Sequence, residues 1–280
     1  MFFAIEEIDR IIKEDVPYID LTSHSLGINN QPGRIAYFTR DDAVICGTEV
    51  VKTIFERLNI ETEMLIPSGT PVKPGDELIS GRGRGCDINM AWKVGQNVLD
   101  HCSGIATVTH RMVQIAKKYN PNIAVLTTRK GFPGTKSLAI MSIMAGGASP
   151  HRLGLSETVL IFKQHIDYIG GLDSLIKKMP ELRIECCEKK IIVESSDYAE
   201  AKKLCEAGVD GIQFDKLPAE DMSETVAKLR ANFPNAVFLA SGGIDATNTA
   251  EYAKTGIDGI VTTSLYNAEP IDVGVKIVAD

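Results

Sequence analysis

From residue 123 to residue 262 the chain alternates short apolar runs with helical segments, and this alternation is the strongest constraint on its fold. The runs are rich in β-branched residues, which is typical of strands covered on both faces of a parallel sheet. Roughly six strand–helix units predict an α/β barrel that is closed or nearly closed. The predicted strands are Ile123–Thr127, Thr158–Phe162, Lys190–Val193, Val209–Phe214, Val237–Ala240 and Ile257–Thr262. The predicted helices include Thr135–Ala145, Asp173–Lys178 and Asp197–Ala207.

The N-terminal part of the chain has a different pattern. The isoleucine spacing predicts a helix over Ile5–Glu14, and Asp20–Thr22 is expected in a loop. Short apolar runs and dense turns between Gly33 and Arg84 predict a small β-rich domain. A long helix is predicted from about Met90 to about Ala116.

Composition and charge exclude several classes of protein. The chain has 280 residues, a net charge of -7 and a pI of about 5.4. Because no basic run stands out, nucleic-acid binding is disfavoured, whereas locally clustered cations suit a small anionic ligand. The six scattered cysteines predict reduced thiols in a cytoplasmic protein. The chain shows no signal-peptide pattern and no apolar run long enough to span a bilayer, so no membrane association is expected.

Polar groups follow four of the predicted strands at the point where each strand ends. Thr128–Lys130 follows the first strand, and Glu194, Asp215 and Ser241–Gly243 follow three others. Because the carboxyl ends of parallel strands form one rim of a barrel, these groups are expected on the same face. The sequence therefore predicts a site at that rim.

Each part of this predicted site has a functional and a purely structural interpretation. Arg129, Lys130 and Arg152, with His151, can pair carboxylates or phosphates, or can be solvated surface charges. Glu194 and Asp215 can hold a phosphate-bound Mg²⁺ or stabilise positive charge on a sugar carbon; Asp215 can instead cap a helix.

A glycine pair is the remaining part of the predicted site. Ser241–Gly243 is expected to open a helix whose free amides bind phosphate. The same residues also suit a tight strand-to-helix turn.

Taken together, the motifs of this chain resemble those of the quinolinate phosphoribosyltransferase family, also called nicotinate-nucleotide pyrophosphorylase (carboxylating). Within that family the sequences of Thr135–Lys136 and Leu155–Thr158 most resemble the ModD branch, which is associated with molybdenum transport. The resemblance covers nearly the whole chain. It is carried by Glu14–Thr22, Ser103–Thr107, Thr128–Lys130, Pro133–Gly134, Gly146–Gly147, His151–Leu155, Val159–Ile161, Glu194, Asp215 and Ser241–Gly243.

The resemblance implies an α/β fold with an N-terminal open α/β sandwich and a C-terminal incomplete α/β barrel. The sandwich would comprise residues 1–107, with the C-terminal tail 268–280 packing back on it, and the barrel residues 108–267. It also implies a homodimer whose active sites take residues from both subunits; a larger assembly stays open.

The implied activity is transfer of a phosphoribosyl group from phosphoribosyl pyrophosphate (PRPP), with Mg²⁺, onto quinolinate or a related acidic heterocycle. Quinolinate would then be decarboxylated to nicotinate mononucleotide. Glu194 and Asp215 would face the ribose and the metal, and with Lys130 they are the predicted catalytic residues. The predicted substrate-binding residues are Lys93, Thr128, Arg129, Lys130, His151, Arg152, Phe162, Lys163, Ser241, Gly242, Gly243 and Thr263.

Three departures from the family pattern affect the predicted acceptor site. Phe162 stands where the family has a lysine, and the adjacent Lys163 points to the other face if the segment stays extended. Lys93 stands where the family has an arginine that reaches into the partner's site, so the bidentate grip on a carboxylate is lost. Thr262–Ser264 stands where the family usually has a glycine near the phosphate. We therefore hypothesise that the phosphoribosyl half is kept and the acceptor half is altered.

Two alternative functions remain at this point. The first is a ModD-type protein that binds an anion or a precursor in molybdenum metabolism, with altered transferase activity or none. The second, which the intact charged residues disfavour, is a barrel kept only as an assembly partner.

Overall fold

The computed structural model of the protein describes residues 3–280, which divide into two compact units. Unit 1 comprises the chain up to His110, together with Phe132–Gly147 and Tyr266–Asp280. Unit 2 comprises Arg111–Gly131 and Ala148–Leu265. The units differ from the expected division mainly at Phe132–Gly147, which the sequence places in the barrel. Leu138, Met141 and Ala145 of this segment pack in or against the hydrophobic core of unit 1, which accounts for the difference.

Helices and strands are both present in the two units. The helices are α1 (Ile5–Asp15), α2 (Leu21–Leu26), α3 (Thr48–Arg57), α4 (Gly85–Tyr119), α5 (Lys136–Ala145), α6 (Lys163–Tyr168), α7 (Leu172–Glu185), α8 (Tyr198–Glu206), α9 (Ala219–Asn232) and α10 (Thr249–Ala253). The strands are β1 (Pro32–Thr39), β2 (Ala43–Val44), β3 (Glu61–Leu65), β4 (Pro71–Val72), β5 (Glu77–Arg84), β6 (Ala124–Thr127), β7 (Ser149–Pro150), β8 (Val159–Ile161), β9 (Ile191–Ser195), β10 (Gly211–Asp215), β11 (Val237–Ser241), β12 (Gly259–Thr262) and β13 (Val273–Ala279). No helix among these residues is long and apolar enough to cross a membrane.

Unit 1 is built on an antiparallel sheet with the strand order β13-β1-β5-β3. The C-terminal strand β13 pairs with β1 from Gly33 to Thr39, so the end of the chain completes this sheet. The sheet and the helices share one apolar core that includes the fully buried Tyr37 and Phe55. The Tyr37 hydroxyl donates a hydrogen bond to the carbonyl of Ala91 on α4 at 2.9 Å, which fixes the helix against the sheet.

Two sequence expectations for unit 1 are wrong. Asp20–Thr22 was expected in a loop, but Asp20 caps α2 by accepting hydrogen bonds from the amides of Thr22 and Ser23. The β-rich interpretation of residues 33–84 misses α3, whose buried side chains Val50, Val51, Ile54 and Phe55 have helical spacing. The turn-forming residues around α3 obscured this spacing.

Unit 2 is a parallel sheet of seven strands in the order β7-β6-β12-β11-β10-β9-β8. The edge strands β7 and β8 are not hydrogen-bonded to each other, so the sheet is an incomplete barrel, as the family resemblance implies. The register sets Thr127 opposite Thr262, Asp215 opposite Ser241, and Gln213 opposite Glu194. The carboxyl ends of these strands therefore lie at one level and form a common rim.

A helix glycine tests the packing of the C-terminal segment in unit 1. A methyl group at Gly104 on α4 would meet the carbonyl oxygen of Glu269 well inside contact distance. Alanine favours a helix over glycine by about 1 kcal/mol. We expect the clash to outweigh this gain, so that Gly104→Ala lowers the free energy of unfolding by about 1–3 kcal/mol.

Thermal or urea unfolding of the variant measures this effect. Gly154→Ala is the matched control, because a methyl group there meets no atom within 4 Å. An unfolding midpoint equal to or above that of the wild type in Gly104→Ala would show that the C-terminal segment does not press on α4.

Candidate active site

A cavity of about 610 Å³ opens at the carboxyl ends of the unit 2 strands. The predicted site residues that line it are Thr128, Arg129, Lys130, His151, Arg152, Phe162, Glu194, Asp215, Ser241, Gly242, Gly243 and Thr263. The other lining residues are Leu160, Gln164, Gln213, Lys216, Ile244, Asp245, Val261, Thr262 and Ser264. The rim thus brings together groups that are up to 136 positions apart in the chain, from Thr128 to Ser264.

One side of the cavity is cationic. Arg129 and Lys130 follow β6, and His151 and Arg152 follow the neighbouring edge strand β7. Burial, and secondly the charge of Arg129, lower the pKa of Arg152. Burial and the Arg152 charge lower the pKa of His151, which favours its neutral form near pH 7. Cations crowded in this way are stabilised by a bound anion.

Hydrogen bonds hold the loop that carries the first two cations. The Thr128 and Thr263 hydroxyls lie 2.8 Å apart, and the amide of Lys130 donates to the Thr128 hydroxyl at 3.2 Å. The Thr128 amide donates to the Thr262 carbonyl at 3.0 Å. The loop after β6 is therefore fixed to the loop after β12.

The opposite side of the cavity carries two carboxylates. Glu194 lies near the end of β9 and Asp215 at the end of the adjacent strand β10. Burial, and secondly the charge of Asp215, raise the pKa of Glu194, while a hydrogen bond with Gln213 and the charges of Lys130 and Lys216 oppose the shift. The Oε1 atom of Gln213 is buried and has no hydrogen-bond partner among the described residues. The two carboxylates allow this part of the cavity to accept a cationic group from a ligand.

The glycine pair follows β11, which lies between β6 and β10 in the strand order of the sheet. Gly242 and Gly243 have φ values of 90° and 72°, a region that favours glycine. A Cβ atom at Gly242 would fall 2.7 Å from Asp215 Oδ1 and 2.9 Å from the Lys216 amide nitrogen. The Ser241 hydroxyl donates to the same Asp215 oxygen at 3.3 Å. The close contact between this loop and Asp215 thus depends on the absence of a side chain.

The helix expected to begin at Ser241 is wrong. The next helix, α10, begins only at Thr249, and the segment between them turns through the Asp245 amide, which donates to Asn248 Oδ1 at 2.9 Å. A ligand phosphate would therefore meet a glycine loop and not a helix N-terminus. The Thr262 hydroxyl donates to the Ile244 carbonyl at 2.6 Å and braces this loop.

Two predicted substrate-binding residues do not line the cavity. Lys163 begins α6, and its ammonium group lies 3.3 Å from Asp167 with 81% of the side chain exposed. The start of a helix, and not strand alternation alone, turns Lys163 away from the site. Lys93 is exposed on α4 in unit 1, where it donates to Gln96 at 3.0 Å.

Four charged or polar lining residues were not predicted from the sequence, namely Gln164, Gln213, Lys216 and Asp245. Gln213 is two positions before Asp215 on β10, so strand alternation could have placed it on the same face. Lys216 follows Asp215 directly and has a φ of 59°, which is unusual for a residue other than glycine. Asp245 lies two residues beyond the glycine pair and gave no distinct signal.

Comparison with known proteins identifies the relatives of the chain. Residues 20–103 match the model for the N-terminal domain of quinolinate phosphoribosyl transferase, and residues 105–276 match the model for its C-terminal domain. Two curated proteins named putative pyrophosphorylase ModD are similar over most of their length. The protein from Rhodobacter capsulatus is 36% identical over 88% of this chain and 94% of that one. The protein from Pasteurella multocida is 32% identical over 99% of this chain and 98% of that one.

A solved structure agrees with these sequence matches. The crystal structure of nicotinate-nucleotide pyrophosphorylase from Ehrlichia chaffeensis has a TM-score of 0.89 and 25% identity, with 99% of this chain and 100% of that one covered. The two domain models and the nearly full-length relatives indicate the same family. The chain belongs to the quinolinate phosphoribosyl transferase family.

Proposed function

We propose that the unit 2 cavity transfers a phosphoribosyl group from PRPP to the ring nitrogen of quinolinate or a related acidic heterocycle and releases pyrophosphate. With quinolinate, loss of CO2 would give nicotinate mononucleotide. The observation that carries the proposal is the meeting of a cationic side, two carboxylates and a glycine loop in one cavity. Family membership and the name of the E. chaffeensis enzyme support the same activity.

The two carboxylates are suited to the reacting sugar carbon. As the bond to the leaving diphosphate lengthens, positive charge develops on the ribose ring, and nearby negative groups stabilise it more strongly than they stabilise the ground state. Glu194 and Asp215 are the acidic groups that we assign to this role.

The same two carboxylates fit a magnesium ion that arrives with the diphosphate. Residues 3–280 contain no group of three or more His, Cys, Asp or Glu side chains placed to hold a metal by themselves. Mg²⁺ is commonly held by one or two carboxylates together with substrate phosphates and water. Glu194 and Asp215 therefore suffice as the ligands that the protein supplies. When bound, the ion neutralises charge on the leaving diphosphate.

The remaining roles follow from charge and position. The amides of Gly242 and Gly243 and the hydroxyls of Ser241 and Thr263 can bind the 5′-phosphate. Lys130 lies close enough to Glu194 to oppose the rise of its pKa, and we assign it to the negative charge of the departing diphosphate.

The acceptor is assigned to the cationic side of the cavity. Arg129 and Arg152, whose charges act on each other, can bind a carboxylate with parallel hydrogen bonds, and His151 lies beside them. This assignment leaves Lys130 free for the diphosphate.

The proposal includes a homodimer with shared sites. Lys93 is exposed on α4 and is absent from the cavity lining of its own chain, which suits a residue that acts in the site of a second copy. No observation on residues 3–280 favours the alternative of an anion-binding protein without transferase activity.

Pyrophosphate release from PRPP, Mg²⁺ and an acidic pyridine tests the proposal directly. We expect turnover in the wild type and its loss when Mg²⁺ is chelated with EDTA. Glu194→Gln and Asp215→Asn are expected to lower kcat by about 10²–10³-fold, since each removes a charge that stabilises the transition state.

Glu181→Gln is the matched control for these variants, because Glu181 is an exposed residue that pairs with Lys178 on α7. Its activity should equal that of the wild type. The proposal would be contradicted if the wild type released no pyrophosphate with any pyridine acid, or if both cavity variants kept full activity.

The raised pKa of Glu194 predicts that Glu194→Gln, which lowers activity, stabilises the fold at neutral pH. A carboxyl whose pKa is higher in the folded state than in the unfolded state stabilises the fold at low pH, and this stability is lost as the pH rises through the folded value. Glutamine has no charge to bury at any pH. Glu194→Gln should therefore raise the Tm of the unliganded protein at pH 7.5.

The difference in Tm should vanish as the pH falls below 4.5, the ordinary value for this carboxyl. Thermal denaturation of the wild type, Glu194→Gln and Glu181→Gln between pH 4 and pH 8 would reveal the trend. A Tm for Glu194→Gln equal to or below that of the wild type at pH 7.5 would show that ionised Glu194 does not destabilise the fold.

A further inference from the structure

The cavity wall formed by β8 and the start of α6 carries no charge. Its lining residues are Leu160, Phe162 and Gln164. The Phe162 amide donates to His165 Nδ1 at 3.0 Å, and the two rings lie 5.7 Å apart. These contacts fix the chain where the strand turns into α6. Lys163, the nearest cation in the sequence, is directed to Asp167 outside the cavity.

This neutral wall lies beside the carboxylates. Ile161 pairs with Val193 in the parallel register, so Phe162 is level with Glu194 on the adjacent strand. Asp215 raises the pKa of Glu194, so the negative charges of these two groups already act on each other. A negatively charged substituent of an acceptor at this wall would lie beside Glu194, and none of the three wall residues carries a positive charge to offset it. The cations whose charges act on Glu194 are Lys130 and Lys216, which follow β6 and β10 and not β8. A second negative charge beside Glu194 is unfavourable in a half-buried site.

Within one chain the cavity offers few cations beyond those that PRPP requires, and Lys93 of a second copy would add one more. The four cationic lining side chains are Arg129, Lys130, Arg152 and Lys216, and the three anionic ones are Glu194, Asp215 and Asp245. PRPP itself brings a monophosphate and a diphosphate. The two arginines, which are close enough for the charge of Arg129 to lower the pKa of Arg152, are well suited to one planar carboxylate.

We propose that the acceptor is a pyridine-type heteroaromatic acid with a single carboxylate, which Arg129 and Arg152 bind while its uncharged edge packs against Phe162 and Leu160. The inference rests on the proposed transferase function and names its substrate class. Phe162 is then the residue that selects against a second carboxylate. The amide of Gln164 can bind a neutral polar substituent at the same edge.

The reaction with such an acceptor is a simple displacement. The lone pair of the ring nitrogen forms a bond to C1 of the ribose, and the bond from C1 to the diphosphate oxygen breaks. The bonding pair leaves with diphosphate, and the nitrogen becomes a pyridinium that bears the sugar. The single carboxylate stays on the ring, so neither CO2 nor a proton is lost.

Two acids that differ by one carboxylate provide the test. Pyridine-3-carboxylate and pyridine-2,3-dicarboxylate are compared by kcat/KM for pyrophosphate release with PRPP and Mg²⁺. Their affinities are also measured by calorimetry in the presence of magnesium diphosphate, which requires no turnover. We expect the wild type to favour the monoacid by at least about tenfold in both measurements.

Two substitutions at one position separate charge from shape. Phe162→Lys supplies a cation opposite the second carboxylate and should shift both ratios toward the diacid by at least about tenfold. Phe162→Leu stays apolar and should keep the preference for the monoacid. Because the calorimetric ratio compares two ligands of one protein sample, partial misfolding of a variant does not imitate the shift.

The outcomes distinguish this inference from the proposed function. A wild type that binds the diacid at least as tightly as the monoacid, binds neither, or shows no shift in Phe162→Lys would overturn the inference. Binding with the expected preference but no pyrophosphate release from any acceptor would contradict the transferase function and leave the recognition of the acid standing.

Discussion

Parallel pairing of seven strands is the constraint on which the site depends. It aligns Thr127 with Thr262, Ser241 with Asp215 and Gln213 with Glu194, so that segments distant in the sequence deliver their polar ends to one rim. The strands between these ends are apolar and buried, with Ile212, Phe214 and Phe238 fully enclosed. The core therefore fixes the positions of charged groups whose mutual repulsion would otherwise separate them.

The cavity has two halves with different physical character. At the glycine loop the Ser241 hydroxyl donates to Asp215, and even one methyl group at Gly242 would clash with Asp215 and Lys216. Around β8 the wall is uncharged and is formed by Leu160, Phe162 and Gln164. This asymmetry is consistent with a strongly constrained phosphoribosyl subsite and an acceptor subsite that can diverge within the family.

Strand ends could be predicted from the sequence because a run of apolar residues indicates a buried strand, and the strand ends near the point where the run ends. Glu194 and Asp215 were placed at the rim on that basis, and the cavity contains both. Gln213 was missed, although it lies two positions before Asp215 and strand alternation places both side chains on the same face of the sheet. The helix expected at Ser241 and the loop expected at Asp20–Thr22 were wrong because side-chain hydrogen bonds decide those segments. The packing of Phe132–Gly147 into unit 1 depends on contacts that periodicity does not encode.

Calorimetric titration of PRPP with Mg²⁺ into the wild type and Gly242→Ala tests whether the glycine loop binds the phosphoribosyl group. We expect one PRPP per chain in the wild type and at least about tenfold weaker binding in Gly242→Ala, whose methyl group displaces the loop from Asp215. Gly208→Ala is the control, since Gly208 has the same φ of 90° and a methyl group there would meet no atom within 4 Å, so its strain should lower the Tm without changing affinity. Equal affinity in the wild type and Gly242→Ala, or no binding in the wild type, would contradict the account.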